Sequence, residues 1–163
     1  MEILKPGSKI DRVSSRSSIF LAGPTPRHKS VIGWRDEAIE ILQRRYNGLT
    51  IFIPEPFLDI HEEQENNYYH QIDWEDRALE ASTVILFWVP RNLKNMPAFT
   101  TNVEFGAWVK SGKVVYGRPD DAPKCGYLDW HARKNLVPIS NTLEDTMVSA
   151  FKMISLINNT PEW

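Results

Sequence analysis

The sequence predicts an α/β fold, a single domain in which a parallel sheet carries helices on both faces. Three observations predict it. Short apolar runs of strand length alternate with longer segments whose apolar residues recur at helical spacing. The runs close on Gly, Pro or Asn, the residues that turn a chain at a sheet edge. The 163 residues suit one domain, and they contain no internal repeat, low-complexity tract or interdomain linker. Strands that alternate with helices in this way pair in parallel, because a parallel neighbour is reached only through a crossover.

Residues 1–17 are polar, with Lys5-Pro6-Gly7-Ser8 and a Ser/Arg cluster, and read as a flexible leader; the domain then occupies 18–163. Ser18-Ile19-Phe20-Leu21-Ala22 is a buried strand closed by Gly23-Pro24, and 25–30 is a polar loop. Residues 32–46 place Trp34, Ala38, Ile41 and Leu42 at helical spacing, and Asn47-Gly48 stops that helix. A second strand, 49–53, ends at Pro54-Glu55-Pro56. The segment 59–71, with four carboxylates and two His, reads as an exposed loop or lid. Trp74, Ala78 and Leu79 mark a helix over 73–81. The strand 83–89 is the most hydrophobic and so the central one; it ends at Pro90-Arg91-Asn92, where a loop to Thr100 begins. A helix over 101–110, a strand over 113–116 and a turn over 117–121 follow. A weaker strand at 136–139 precedes a last amphipathic helix over 143–157, carried by Val148, Phe151, Ile154 and Leu156.

Composition narrows the function. A net charge of −2 supplies no basic field to hold a nucleic-acid polymer. No apolar run approaches the roughly 20 residues of a membrane span, and the first residues lack the hydrophobic region of a secretory signal. The single Cys125 rules out an internal disulfide and fits a reducing, cytoplasmic setting. Six Trp and eleven Pro are unusual, and Trp serves a core as readily as it stacks on a base.

Open parallel sheets bind ligands beyond the carboxyl ends of their strands. Those ends are Gly23-Pro24-Thr25, Pro54-Glu55-Pro56, Pro90-Arg91-Asn92 and Gly117-Arg118-Pro119. The chain has no G-x-G-x-x-G, no P-loop and no G-x-S-x-G, which removes dinucleotide, P-loop and common serine-hydrolase chemistry. Cys125 and His131 do not make a zinc set, so no metal or other cofactor is expected. His61, His70 and His131 read as surface residues.

Carboxylates remain. Thr101-Asn102-Val103-Glu104 has the spacing of a capping box, which makes a plain helix cap one reading of Glu104. The other is catalytic. A carboxylate in a first helical turn is favoured in its ionised form, as a nucleophile requires, and this helix opens towards the strand ends. Asp73, Glu75 and Asp76 form a second acidic group, either helix-start acidity or the partner acid of a glycoside-type reaction, which commonly uses two carboxylates. Arg27, His28 and Lys29, with Arg91 and Arg118 at other strand ends, are candidates for ligand contacts or are solvated loop residues. Trp34, Phe87 and Trp88 are candidates for base stacking, with core packing the stronger reading for Phe87 and one face of Trp88.

Ile19-Phe20-Leu21-Ala22-Gly23-Pro24, Trp34-Arg35 opening a helix, the acid before Leu79-Glu80-Ala81-Ser82-Thr83-Val84-Ile85-Leu86, and Asn102-Val103-Glu104-Phe105-Gly106 with Gly112-Lys113 together resemble the nucleoside 2-deoxyribosyltransferase-like family. The match runs from about Ser18 to Arg118. The resemblance implies a flavodoxin-like doubly wound fold and a homo-oligomer whose subunits complete one another's sites. It also implies glycosyl transfer or hydrolysis at the N-glycosidic bond of a nucleoside or nucleotide, through a covalent intermediate on Glu104. The family acid that contacts sugar hydroxyls or base falls on Glu75, with Asp73 and Asp76 beside it. One position departs: where family transferases often carry Asp and nucleotide hydrolases Ser, six residues before the nucleophile, Ala98 stands, and Thr100 and Thr101 are the nearest hydroxyls.

The sequence therefore assigns Glu104, Glu75 and Asp73 to catalysis, and Gly23, Pro24, Arg27, Trp34, Arg91, Thr101, Asn102 and Arg118 to the substrate. The rival readings are a nucleotide-binding module without catalysis and a hydrolase of NAD or ADP-ribose derivatives.

Overall fold

The computed structural model describes residues 1–10, 17–45, 48–55 and 65–159. Its sheet contains six strands, all parallel: β1 (Glu2–Leu4), β2 (Ser18–Ala22), β3 (Thr50–Phe52), β4 (Val84–Trp88), β5 (Val114–Gly117) and β6 (Ile139–Ser140). They lie in the order β1-β3-β2-β4-β5-β6. Setting aside the edge strand β1, the remaining five follow the flavodoxin-like order 2-1-3-4-5. The order reverses between β2 and β4, which pair Ile19 with Val84 and Ala22 with Phe87.

The alternation of side chains along each strand divides the core in two. Phe20 and Ala22 of β2 with Ile85 and Phe87 of β4 face one way, where α2 (Glu65–Ala81), α3 (Phe99–Trp108) and α4 (Gly126–Lys134) cover them. Ile19, Leu21, Val84 and Leu86 face the other way, under α1 (Arg35–Arg45) and α5 (Leu143–Asn159). Every residue of β2 and β4 is buried, which is why these strands read as continuous apolar runs rather than alternating ones. Phe87 lies wholly in the core, edge-on to Phe105 at 5.1 Å between ring centres.

Several boundaries differ from expectation. Glu2–Leu4, within the expected leader, pairs with β3 and adds an edge strand. Residues 65–71, expected within a loop or lid, are the first two turns of α2, whereas 56–64, with His61, lie outside the described residues, as do 11–16, 46–47 with the expected helix stop at Asn47, and 160–163. The expected strand at 136–139 is reduced to Ile139–Ser140, because Leu136 takes a left-handed conformation (φ 58°) after α4. The helix α4 was not expected from sequence. Leu128, Asp129 and Ala132 are its buried residues, too sparse a stripe to mark a helix.

A further difference touches the site. The helix expected over 101–110 starts at Phe99, and its N-cap is Ala98, which is left-handed (φ 61°, ψ 41°) and makes no side-chain cap bond. Thr101 is therefore inside the helix and 1% exposed, so the apparent capping box caps nothing.

Candidate active site at the switch point of the sheet

Where β2 and β4 part company, a cavity of about 490 Å³ opens at the carboxyl edge of the sheet. That volume is in the range of small-molecule sites. Its floor is the turn after β2: Gly23, Pro24 and Thr25, with Arg27 beyond. Gly23 is required here. Its φ is +150°, and a Cβ would stand 2.2 Å from the Trp88 carbonyl oxygen and 2.8 Å from the Trp34 ring.

One wall is a single face of α2. Tyr68, Gln71, Ile72, Glu75, Asp76 and Leu79 fall at successive three- and four-residue steps, which brings them onto one side of the helix. The opposite wall is the start of α3, from Ala98, Phe99 and Thr100 to Val103 and Glu104. Glu75 and Glu104, 29 positions apart in sequence, thus share one cavity, and Asp76 lines it beside them.

The electrostatics of the two glutamates follow from this placement. Both are half-buried. Desolvation first, then the repulsion of Glu75 and, less strongly, of Asp76, pushes the Glu104 carboxyl up to about 7, against the pull of Arg35. Glu75 is also raised, mainly by burial, although it accepts a 2.7 Å hydrogen bond from Gln71 Nε2. The helix-start explanation for Glu104 is therefore corrected. With Phe99 as the first helical residue, Glu104 stands beyond the first turn, where the dipole has faded. It is held above the ordinary carboxylate range rather than below it.

The other expected site residues separate into two groups. Gly23, Pro24 and Arg27 line the cavity with Glu75 and Glu104. Asp73 does not: one step around α2, its side chain is 67% exposed and pairs with Arg77 at 3.0 Å. Trp34 lies beneath the Gly23 turn, 6% exposed, with its indole N–H donated to the Pro24 carbonyl, so it supports the floor and offers no stacking face to the cavity. Arg91 is 7% exposed and donates to the Lys124 carbonyl and to Asn102 Oδ1, which ties both Arg91 and Asn102 to the packing of α3 on the chain before α4. Thr101 is buried away from the cavity. Arg118 is occupied by Asp129 through two hydrogen bonds of 2.9 and 2.7 Å, and Asp129 also accepts from the Tyr116 hydroxyl.

Sequence reasoning missed Gln71, Tyr68, Phe99 and Arg35. Phe99, 68% exposed, sits at the mouth under the Arg27 guanidinium, 5.4 Å from it. Arg35 is 2% exposed and is the buried cation behind the cavity floor.

Comparison with known proteins gives the fold and site a family. Residues 16–122 match the sequence model described as nucleoside 2-deoxyribosyltransferase like. The chain belongs to that family. Among solved structures, the chain is similar to a 2-deoxyribosyltransferase from the psychrotolerant bacterium Bacillus psychrosaccharolyticus, with a TM-score of 0.63 and 16% identity. That similarity covers 85% of this chain and 96% of the other. No curated protein matches the chain at a significant level. The matched segment spans every residue that lines the cavity, from Gly23 to Glu104.

Proposed function

We propose that this protein cleaves the N-glycosidic bond of a nucleoside or nucleotide, of the 2-deoxyribosyl class that the family's name denotes, and passes the sugar to a second base or to water. The observation that carries this reading is the pair of Glu104 and Glu75 in one nucleoside-sized cavity at the switch point. In its ionised form Glu104 attacks the anomeric carbon. The carbon–nitrogen bond breaks, its electron pair leaves with the base, and the base takes up a proton. A glycosyl ester on Glu104 results. The incoming base nitrogen, or water, then attacks the same carbon from the vacated face, loses a proton and releases Glu104, with net retention.

The charge state of Glu104 supports this role. A carboxylate that titrates near neutrality is more basic, and so a stronger nucleophile when ionised, than a solvated one. Glu75, steadied by Gln71, is placed to orient a sugar hydroxyl or the departing base. Asp76 takes the place foreseen for Asp73. Arg27 is the remaining ligand-facing cation.

The reading includes a homo-oligomer. Tyr68, Phe99 and Val103, each more than half exposed, rim the mouth with apolar surface, as an edge covered by a second copy does. Among the described residues no helix is long and apolar enough to cross a membrane. The test is base release from a panel of deoxynucleosides, deoxynucleotides, ribonucleotides and NAD, with and without an acceptor base. Free base formed without an acceptor identifies a hydrolase, and base exchange identifies a transferase. If no substrate in the panel releases base, the reading is wrong.

A further inference from the structure

We propose that Arg35, which no substrate can reach, is a positioning residue of the site: its guanidinium fixes the cavity floor and places a buried positive charge behind the carboxylates of the cavity. The inference rests on the proposed reaction only for its kinetic consequences.

The geometry comes first. Arg35 is the first residue of α1 and is almost fully buried. Its Nε donates to the Leu21 carbonyl at 3.1 Å and its Nη2 to the Gly23 carbonyl at 2.7 Å. Its Nη1 donates to Thr25 Oγ1 at 3.1 Å and forms an ion pair with Glu55. The ring of Trp34 lies 4.8 Å from the guanidinium carbon. One side chain thus ties together the end of β2, the Gly23–Thr25 turn and the chain after β3. Only a planar five-donor fork can serve these partners together, so lysine is not an equivalent.

The charge balance comes second. Three carboxylates, Glu75 and Asp76 from α2 and Glu104 from α3, line the cavity, with Arg27 as the cation on the floor loop. Among the described residues, Arg35 is the positive group that acts on both Glu104 and Glu75 to favour their ionised forms. Glu55 is the strongest of the carboxylates that favour the charged form of Arg35, followed by Glu104 and then Glu75. Glu55 is not among the groups that act directly on Glu104.

These relations give a test with a readout besides turnover. With glutamate labelled at its carboxyl carbon, NMR follows the titration of Glu104 in the full chain. Arg35→Met is expected to move the Glu104 midpoint upward from about 7. If the reaction is as proposed, kcat at pH 7 falls because the ionised fraction of Glu104 falls, and it recovers at higher pH. Arg35→Lys keeps the charge, so the midpoint holds, and KM rises as the floor loosens. Arg35→Gln removes the charge but keeps side-chain donors for the floor, so the Glu104 midpoint rises as in Arg35→Met. It also covers the case in which Arg35→Met fails to fold. A folded Arg35→Met or Arg35→Gln with an unchanged midpoint overturns the inference. A raised midpoint in an Arg35→Met protein whose wild type turns over no substrate leaves Arg35 as the counter-cation and rejects the reaction instead.

Discussion

Glu75 on α2 and Glu104 on α3 line the same cavity, and the negative charge of Glu75 helps to hold the Glu104 carboxyl near 7. Neither residue can therefore be changed without altering the other's proton. Removal of Glu75 as Glu75→Gln takes away that repulsion, so the acid limb of the kcat profile is expected to move to lower pH while kcat itself falls. An acid limb that moves upward contradicts the coupling.

Stability carries the same signature with a worked sign. The folded value of Glu104, about 7, lies above the ordinary 4.5, so the native state binds the extra proton and stability declines as pH rises from about 4.5 through 7. Glu104→Gln removes that penalty. Its melting temperature is expected to exceed wild type at pH 8, by on the order of 1–3 kcal/mol in free energy after allowance for solvent in the cavity, and to converge on wild type near pH 4.5. Thermal unfolding at the two pH values checks this.

The floor predicts a steric result. Gly23→Ala places a methyl group 2.2 Å from the Trp88 carbonyl oxygen, against backbone rather than a flexible side chain, at a φ of +150°. A loss of at least about 2 kcal/mol is expected, with activity lost in whatever fraction still folds. Urea unfolding of the variant at wild-type stability contradicts the turn geometry.

Arg118 separates structure from substrate contact. It pairs with Asp129 outside the cavity, so Arg118→Ala is expected to destabilise by about 1–3 kcal/mol, since it leaves a mostly buried carboxylate with the Tyr116 hydroxyl alone. KM in the folded variant stays within about twofold of wild type, a change of under half a kcal/mol. A large rise in KM without loss of stability returns Arg118 to the substrate.

The sheet was legible because β2 and β4 are buried on both faces and so appear as unbroken apolar runs. The glutamate motif was legible by resemblance, but its local physics was not. Thr101 and Glu104 have capping-box spacing, whereas the real cap, Ala98, carries no side-chain signal and is held in a left-handed conformation by the surrounding chain. The polar stretch ahead of Trp74 hid the first two turns of α2, because a helix wall that lines an open cavity lacks the apolar stripe by which helices are found. With the helix extended back to Tyr68, the three- and four-residue steps from Leu79 select Asp76 over Asp73. Arg35 was hidden for another reason: an arginine at a helix start reads as solvated until its four partners, distant in sequence, are brought to it by the fold.

Whether Glu104 is the nucleophile is decided by intact-protein mass spectrometry of wild type and Glu104→Gln after brief exposure to each substrate, beside the rate of base release. A pentosyl adduct is expected on wild type at Glu104 and none on the folded Glu104→Gln variant, with a loss of base release of several orders of magnitude. Base release within tenfold of wild type from Glu104→Gln contradicts that role.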